Sequence, residues 1–472
     1  MSPAEVIQYI LSYGAAIFMP LIIFILGLIV RLKPSKAFRS GILMGVAFTG
    51  MMLVIVSLFY AIVAPAASKM VERLGLELSI LDIGWTPSAA IAWAWPAAAT
   101  MFAVQILINL VMLAFKWTKT LNVDMWNVWQ KAFIGALVVA VTGNYLLAYL
   151  VAAVWIIFEL KFGDWSVYQV HEYVGVPGIS IPHSEAMGLM ITAPVDWVVS
   201  RIPGLNRIKA DPQTLREKFG LLGENMIIGL ILGLIIGVLA GYDLKATLVL
   251  AINAATALVL LPMIARLFME ALAPISEAAG EFMKARFPGR EFFIGLDWPI
   301  LAGNPSTYAV GILAIPLLLV FCVILPGNKT LIFGSIADWA WMISSTGAIM
   351  GGDVVRMLLA SLVLIPAYLW TATFAGPTIT TVAQQIAFQI PEGASTITWF
   401  GTNPLYMFEM KILEVLNGNF MGLIWLVVLA ALVFFSRRIL LGREKEAAKR
   451  LGFLETEEVK PSEQPAEVVS KG

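Results

Sequence analysis

The sequence predicts an all-α polytopic membrane protein, with about eleven transmembrane helices in two inverted repeats. Three observations predict this fold. The composition is 60% hydrophobic and 13% charged, with a mean hydropathy of +0.86, whereas soluble domains are about a quarter charged. Apolar runs of about twenty residues, the length that crosses a bilayer, recur along the chain. A pattern near the N-terminus also returns in the second half of the chain.

The predicted spans follow the apolar runs. No Lys or Arg precedes Arg31, so the first run lacks the basic region of a cleaved signal peptide and should remain as a spanning helix. The spans run approximately over Ala15–Val30, Gly41–Ala64, Trp95–Phe115, Met125–Thr142, Asn144–Leu160, Asn225–Ala240, Thr247–Phe268, Thr307–Leu325, Leu331–Met350, Val354–Ala375 and Phe420–Ser436. Two further stretches, Gly175–Val199 and Gly393–Leu413, are interrupted by Pro, Gly and polar residues. We interpret them as re-entrant hairpins.

The repeat appears as short matches that occur in the same order in both halves, at offsets of 206 to 210 residues. Duplication of this kind in a membrane protein indicates a transporter with its site between the halves. The matched segments are Ile25–Ile29 with Ile231–Ile235, Ala64-Pro65 with Ala273-Pro274, Lys119–Leu121 with Lys329–Leu331, and Gly143-Asn144 with Gly352-Asp353.

The distribution of Lys and Arg predicts the orientation, because cytoplasmic loops carry an excess of these residues. All the main clusters fall on one side if the N-terminus is outside and the C-terminus is cytoplasmic. Each repeat then has five spans and a hairpin, and an odd number of spans inverts the second repeat relative to the first. The clusters are Arg31, Lys33, Lys36 and Arg39; Lys116 and Lys119; Arg201, Arg207, Lys209, Arg216 and Lys218; and Arg437, Arg438, Arg443 and Lys445.

The chain is therefore divided into four regions. Residues 15–200 form the first repeat with its hairpin, and residues 220–413 form the second. Residues 419–441 add a C-terminal span, and residues 442–472 follow as a disordered cytoplasmic tail, which is rich in Glu, Pro and Ser near its end. The smooth first two helices of each repeat suit a static scaffold or a subunit interface. Small residues spaced around Gly233 favour packing within the chain over a dimer contact.

Polar segments precede the third span of each half and are the first candidates for a solute site. Asp82 and Trp85 lie in the first segment, and Asp297 and Asn304 lie in the second. Unwound backbone there would expose N–H and C=O groups to a hydroxylated solute, and carboxylates accept hydrogen bonds from hydroxyl groups. The alternative is that Asp82 and Asp297 cap helices at the membrane interface.

The first hairpin contains the strongest candidate residues, His183, Ser184 and Glu185, beside Pro182. An imidazole next to a carboxylate at membrane depth is costly, and ionisable residues inside a membrane are functional by default. His183 and Glu185 are therefore the candidate catalytic residues.

The second hairpin carries Thr402 and Asn403, whose side chains can donate and accept hydrogen bonds. Glu409 follows, and we interpret it as paired with Lys411. Asp124 belongs to a polar cluster at the start of the fourth span, where a helix N-cap is an equally good explanation.

Several partners are excluded by composition. The formal net charge is zero, so no nucleic-acid partner is implied. The single cysteine, Cys322, lies in an apolar run, which excludes a disulfide framework and a Cys-rich metal site. We expect neither a cofactor nor a metal.

Several motifs, in order, resemble the galactitol-specific membrane component (EIIC) of the bacterial phosphoenolpyruvate-dependent phosphotransferase system. The resemblance covers nearly everything from Ala15 to Leu441 and includes relatedness to the ascorbate permeases. One departure is that family members carry His where this chain has Asn304-Pro305. The motifs are Asn122–Asn127, Gly178–Ser184, Ile202–Lys209, Gly233–Asp243 and Phe293–Asp297.

The resemblance implies a fold and a reaction. The fold is eleven spans with a scaffold (V-motif-like) domain, a core domain, two hairpins and a homodimer in the inner membrane. The core moves against the scaffold in an elevator mechanism. The chain is not an enzyme on its own: a separate cytoplasmic EIIB, supplied by EIIA, passes phosphate from a phosphocysteine to galactitol or a related polyol. His183, Asp297 and the second hairpin would line the substrate site.

The alternative function is an ion-coupled secondary transporter of a small polar solute. Inverted repeats with broken helices and embedded carboxylates serve that class as well. Asp338, Asp353 and Arg356 would then form a proton relay.

Overall fold

The computed structural model describes residues 15–453 except for short gaps. The gaps are 55–56, 58–64, 67–68, 70–71, 74, 76–77, 99, 125, 206–209, 212–213, 215–216, 218–220, 222–223, 287–290, 303, 337, 389 and 391–393. Several sequence predictions therefore lie outside the described residues. They are the span end at Ala64, the span start at Met125, the hairpin start at Gly393, the cations Arg207, Lys209, Arg216 and Lys218, and the tail from 454 to 472.

The described part of the chain is mostly helical. In the first half its elements are α1 (Ala15–Ile29), α2 (Pro34–Val54), β1 (Ile80–Asp82), α3 (Trp85–Ala94), α4 (Thr100–Ala114), β2 (Thr120–Asn122), α5 (Val128–Thr142), α6 (Tyr145–Asp164), α7 (Val167–Val174), β3 (Ile179–Ser180), a 3-10 turn (Ser184–Gly188) and α8 (Leu189–Val199). The elements of the second half are α9 (Asn225–Leu239), α10 (Leu244–Arg286), β4 (Phe293–Gly295), α11 (Pro299–Ala302), α12 (Pro305–Ile324), β5 (Thr330–Leu331), α13 (Trp339–Met350), α14 (Val354–Gln385), β6 (Thr396–Thr398), α15 (Leu405–Leu413), a 3-10 turn (Glu414–Asn417) and α16 (Gly422–Arg450).

Four of these helices, α6, α12, α14 and α16, are long and apolar enough to cross a membrane by length and composition. Shorter apolar helices coincide with further predicted spans, namely Pro20–Ile29, Thr100–Ala114, Val128–Thr142, Met226–Leu239 and Leu244–Ala257. The protein is therefore a multi-pass membrane protein, as predicted.

Gly143-Asn144 and Gly351-Gly352-Asp353 mark helix boundaries, and the glycine that ends the helix in the second segment is Gly351, one residue before the matched Gly352. Gly143 ends α5 and Gly351 ends α13, each in the left-handed region at φ 65° and 63°, which a glycine adopts without strain. Asn144 then caps α6 and Asp353 caps α14, where each side chain accepts a hydrogen bond from the third residue on. The motif is therefore a stop signal followed by a start signal.

Six short strands form two parallel three-stranded sheets that the all-α prediction did not include. The first sheet has the order β5-β1-β6, and the second has the order β2-β4-β3. The central strand of each sheet comes from one half of the chain, and both outer strands come from the other half. Strands of two or three residues carry too little periodicity to be recognised in sequence. The sheets hydrogen-bond the two halves of the chain to each other.

The smooth helices α1, α2, α9 and α10 pack against one another, while the remaining helices pack mainly among themselves. Gly229, Gly233 and Gly237 on α9 face Ala255, Ala251 and Thr247 on α10. The small-residue spacing therefore serves packing within the chain, as expected.

Several helix boundaries differ from the sequence predictions: α2 begins at Pro34 instead of Gly41, α13 begins at Trp339 instead of Leu331, and α14 continues to Gln385 beyond Ala375. The helix α10 continues to Arg286, beyond the predicted span end at Phe268. The helix α16 continues to Arg450, so residues 442–450 are helical and the prediction that they belong to a disordered tail is wrong. The reason is packing: Glu444 accepts hydrogen bonds from the backbone N–H groups of Tyr168 and Gln169.

Asp82 joins the first sheet to the loops around it. Its carboxylate is fully buried and accepts hydrogen bonds from the backbone N–H groups of Ser335 at 2.6 Å and Phe400 at 2.8 Å, and from the Ser335 hydroxyl at 3.0 Å. Weaker bonds come from Gly84 and Phe333 at 3.3 Å. One carboxylate therefore holds the strand-to-helix turn of the first half against two loops of the second.

We predict that Asp82→Ala destabilises the protein strongly. Each buried donor left without an acceptor costs about 1–3 kcal/mol, and five donors share this carboxylate. The midpoint of thermal unfolding in detergent should fall by many degrees, whereas Asp243→Ala, at an exposed helix start, should change it little. Equal midpoints for the two variants would show that Asp82 does not hold the strand-to-helix turn against the two loops.

Candidate functional site

The segment predicted as the first hairpin, residues 175–199 and called the first hairpin below, presents three polar side chains on irregular backbone. His183 lies between β3 and the 3-10 turn Ser184–Gly188, in an extended conformation. Its Nδ1 atom accepts a hydrogen bond from the backbone N–H of Glu185 at 3.2 Å. A neutral imidazole that accepts at one nitrogen carries its proton on the other, so Nε2 is the donor of this ring. His183, Ser184 and Glu185 are all buried.

Two carboxylates from different halves of the chain share one amide. The Asn127 Nδ2 atom donates to Asp124 Oδ2 at 2.8 Å and to Asp297 Oδ1 at 2.7 Å. Asp124 also accepts from the Asn127 backbone N–H at 3.1 Å, but α5 begins at Val128 with Asn127 as its N-cap residue, so Asp124 does not cap that helix. Asp297 accepts from the Trp298 backbone N–H at 2.7 Å. The strands β2 and β4 pair side by side and lead directly into these residues.

A buried ion pair connects the acidic residues to the hairpin. Lys131 Nζ lies 2.6 Å from Glu159 Oε2, and the two side chains are 1% and 0% exposed. Glu159 Oε1 accepts a hydrogen bond from the Ser184 hydroxyl at 2.6 Å, and Ser184 accepts one from the Trp155 indole at 2.8 Å. The pair therefore holds the hairpin tip against α5 and α6.

The segment predicted as the second hairpin, and called the second hairpin below, meets the first at a tyrosine of α14. The Tyr368 hydroxyl donates to Glu185 Oε2 at 2.9 Å, and Asn403 Nδ2 lies 3.3 Å from the same hydroxyl. Asn403 also donates to the Ser184 carbonyl at 2.9 Å. Asn403 and Ser184 therefore bind the two hairpin tips directly to each other.

The donor and acceptor atoms of Asp124, His183 and Asp297 all lie within 4.8 Å of one another. Two carboxylates and an imidazole are a donor set that divalent cations accept, and the sequence predicted no metal here. The same three groups also match a hydroxyl-bearing solute, because the carboxylates accept hydrogen bonds and the imidazole donates one.

The other predicted residues have different surroundings. Asp82 binds the groups described above, and Trp85 begins α3. Thr402 is buried and donates to the Trp399 carbonyl at 2.8 Å. Asn304 caps α12 by accepting from the Ser306 N–H at 3.0 Å, and it lines a cavity of about 610 Å³ beside α16.

Two charge assignments from sequence need correction or revision. The predicted pair of Glu409 with Lys411 is wrong, because Lys411 Nζ binds Glu414 at 2.6 Å, and among the described residues neither oxygen of the buried Glu409 has a hydrogen-bond partner. Asp353 accepts hydrogen bonds from the backbone N–H groups of Arg356 and Ala210. Arg356 forms an ion pair with Asp196, which also binds Arg443. Asp353 therefore caps a helix, and Arg356 belongs to an ion-pair group with Asp196 and Arg443.

The sequence analysis did not identify Lys131, Glu159 or Tyr368 as site residues. A signal was present for the first two, because a lysine and a glutamate inside predicted spans mark functional positions. Tyr368 carries no such signal, since a tyrosine in an apolar helix is ordinary.

Comparisons with known proteins identify the family of the chain. The family described as "PTS system sugar-specific permease component" (EIIC-GAT) matches residues 9–393. The chain belongs to this family. It is 34% identical over 406 residues to the PTS system galactitol-specific EIIC component of Escherichia coli K12, covering 84% of this chain and 90% of that protein. It is 35% identical over 435 residues to a putative permease IIC component of the same strain, covering 91% and 98%.

Membership confirms the family predicted from the motifs. The chain is a sugar or polyol permease component of a phosphotransferase system, and it lies in the membrane as a multi-pass protein. The ion-coupled secondary transporter is not favoured.

We predict that removing one partner of the buried ion pair is more harmful than removing both charges. Lys131→Met leaves Glu159 charged and unpaired, which costs about 3–5 kcal/mol. The double variant Lys131→Met, Glu159→Gln removes the unpaired charge. Thermal unfolding of detergent-purified protein should show a large loss for the single variant and partial recovery for the double one. A double variant less stable than Lys131→Met would refute this account.

Proposed function

We propose that this chain binds galactitol or a related polyol and carries it to the cytoplasm for phosphorylation by a separate EIIB. The observation that carries the proposal is the buried polar network in which both hairpins, Asp124 and Asp297 meet. Support for the substrate class comes from the family and from the galactitol-specific relative. The phosphate would come from EIIB and EIIA, so the chain performs no phosphotransfer by itself.

The chemistry of the network suits a polyhydroxylated solute. Asp124 and Asp297 offer acceptors to substrate hydroxyls, and the Nε2–H of His183 offers a donor, since its Nδ1 is bound to the Glu185 N–H. Each such charge-assisted hydrogen bond is worth about 1.5–3 kcal/mol. Ser184, Thr402 and Asn403 add neutral groups around them. Orientation of the hydroxyls is the proposed role of these residues.

Glu185 is the candidate that would receive a proton from the accepting hydroxyl. Its Oε2 is held by Tyr368 at 2.9 Å, so the carboxylate is oriented and its Oε1 is the oxygen that we assign to the substrate. His183 is assigned the donor role because its accepting nitrogen is already used. Proton acceptance and hydroxyl orientation are thereby divided between neighbouring residues of one hairpin.

The architecture proposed for transport is about eleven spans in two inverted repeats with two re-entrant hairpins. The strand pairing supports it, because β1 lies between β5 and β6 just as β4 lies between β2 and β3. The hydrogen bonds repeat as well. Asp164 accepts from the Lys119 N–H and the Thr120 hydroxyl, while Thr373 binds the same two groups of Lys329 and Thr330.

We propose that α1, α2, α9 and α10 form the scaffold, and that the helices carrying the hairpins form the moving core. The separate packing of the four smooth helices supports this division. Exposed apolar residues on these helices, such as Leu28 and Ile231, suit lipid contact or a homodimer interface. The N-terminus is assigned to the outside and the C-terminus to the cytoplasm, from the Lys and Arg distribution.

The cavity of about 610 Å³ beside α16 is the place where we expect the phosphate donor to approach. It opens near the C-terminal helix, and its lining includes Asn304 and three arginines, Arg356, Arg443 and Arg450. These arginines are ion-paired with Asp196 or Glu172, so phosphate would have to replace a carboxylate. Guanidinium groups bind phosphate well. In the proposed orientation this end of the molecule faces the cytoplasm.

The test is reconstitution of the chain in liposomes with labelled galactitol and other hexitols. Uptake is measured with and without the cognate EIIB and EIIA and phosphoenolpyruvate. Accumulation of the phosphorylated polyol only when the donor chain is complete supports the proposal. Concentration of unmodified solute by an ion gradient alone would refute it.

Single-residue variants test the site. We predict that Asp297→Asn weakens galactitol binding roughly 10- to 100-fold, the loss of one charge-assisted hydrogen bond, while the unfolding midpoint changes little. His183→Ala should abolish uptake in folded protein. The control is Asn253→Ala. Asn253 lies on α10, and its side chain donates an exposed hydrogen bond to the Val249 carbonyl. Unchanged affinity in Asp297→Asn would remove that residue from the site.

A further inference from the structure

A second cavity lies away from the site, where α4 and α6 end beside α16. Its volume is about 270 Å³. The lining combines basic side chains with tryptophans and is distinct from the polyol network. The lining residues are Lys116, Trp117, Thr118, Lys119, Lys161, Asp164, Trp165, Tyr168, Phe293, Leu441 and Glu444.

The two carboxylates that line this cavity accept hydrogen bonds from uncharged groups. Asp164 accepts hydrogen bonds from the Thr118 hydroxyl, the Lys119 backbone N–H and the Thr120 hydroxyl, at 2.9 to 3.1 Å. Glu444 accepts from the backbone N–H groups of Tyr168 and Gln169 and from the Gln169 amide. Neither carboxylate forms an ion pair with a lysine of the cavity within the described residues.

Of the three lysines, only Lys119 is neutralised by a partner. Its ammonium group lies 2.6 Å from Glu291. Burial raises the pKa of the Glu291 carboxyl, but the hydrogen bonds from Lys119 and Tyr168 outweigh that effect and the pKa is lowered, so the carboxylate stays ionised. Lys161 donates to the Trp117 carbonyl, and Lys116 has no ion pair in the described part of the chain. Among the described residues, Lys116 and Lys161 therefore form no ion pair, although the Asp164 carboxylate attracts the Lys161 ammonium group.

The cavity adjoins a surface built for lipid. Phe115 and Trp117 stack with ring centroids 5.2 Å apart and are 65% and 57% exposed. Tryptophans at helix ends lie at the headgroup level of a bilayer. The neighbouring helix faces expose further apolar side chains, Leu107, Leu110, Val154 and Ile157. An ammonium pair therefore lies next to aromatic and aliphatic surface, the arrangement that suits a headgroup and its acyl chains.

We propose that this cavity binds the headgroup phosphate of an anionic phospholipid through Lys116 and Lys161. Basic pockets between helices on the cytoplasmic side of a membrane bind anionic headgroups by charge attraction. Lys116 adopts φ 60° at the end of α4, a conformation uncommon for a residue with a side chain, and this places the lysine beside the cavity. Arg437, whose guanidinium lies 5.9 Å from the centroid of the Trp165 ring, adds positive charge at the same end.

The bound lipid would support the strand that leads into the polyol site. The residues Thr118, Lys119 and Thr120, which bind Asp164, run directly into β2. Asn122 at the end of β2 then accepts from the Asp124 N–H at 2.9 Å. Phosphate binding would therefore hold the α6 end and β2 together. This inference does not rest on the identity of the transported polyol.

The experiment measures retention of phosphatidylglycerol by purified protein, using native mass spectrometry, with phosphatidylcholine as the comparison lipid. The variants are Lys116→Gln and Lys161→Gln, alone and combined, which remove the charge and keep a polar side chain. The control is Lys329→Gln, because Lys329 is exposed at the corresponding position before β5. We expect each cavity variant to lower phosphatidylglycerol binding about fivefold, with the control unchanged.

Three results would overturn the proposal. Equal retention of phosphatidylglycerol by the wild type and the double variant would remove the lysines from any lipid site. Equal retention of the two lipids by the wild type would show that charge is not recognised. Displacement of the lipid by millimolar inorganic phosphate or a sugar phosphate would assign the cavity to a soluble phosphate. Lys116→Gln alone remains informative if Lys161→Gln does not fold, because Lys116 is exposed.

Discussion

The buried ion pair between Lys131 and Glu159 is the interaction on which the site depends. Two charges with 1% and 0% exposure are tolerated inside a membrane protein only when geometry and hydrogen bonds compensate their lost hydration. The compensation extends outward from the pair, through Ser184 to the first hairpin and through the Asn127 carbonyl to the acidic residues. A chain of hydrogen bonds therefore holds the site together without a regular helix at its centre.

The exchange of strands explains why the two halves of the chain cannot be treated as independent domains. Each sheet takes its central strand from one half and its outer strands from the other. The central strands β1 and β4 lead into the candidate residues Asp82 and Asp297. Backbone hydrogen bonds in apolar surroundings are costly to break. The sheets therefore keep the two carboxylates in place, even though the helices around Asp82 differ in sequence from those around Asp297.

The sequence predicted the family and the apolar helices, because motifs and hydropathy are local signals, whereas the repeat and the two hairpins stay predictions. The partners across the fold were not predictable in this way. Tyr368 is 183 residues from Glu185, and no local pattern links them. Glu409 was misassigned to Lys411 for the converse reason: proximity in sequence favoured the pair, yet Lys411 binds Glu414. The short strands were missed because two or three residues hold no measurable periodicity.

The charge balance of the network argues for a neutral solute rich in donors. In the network described above, Lys131 supplies the one ammonium group, and four residues supply carboxylates: Asp124, Glu159, Glu185 and Asp297. Carboxylates therefore outnumber the positive charge available to pair with them. An anionic substrate would meet like charges in a region of low dielectric, where repulsion is strong. A polyol brings several hydroxyl protons and no charge, and each proton can pair with a carboxylate oxygen. The N–H of the His183 imidazole then donates a hydrogen bond to a hydroxyl oxygen of the same solute.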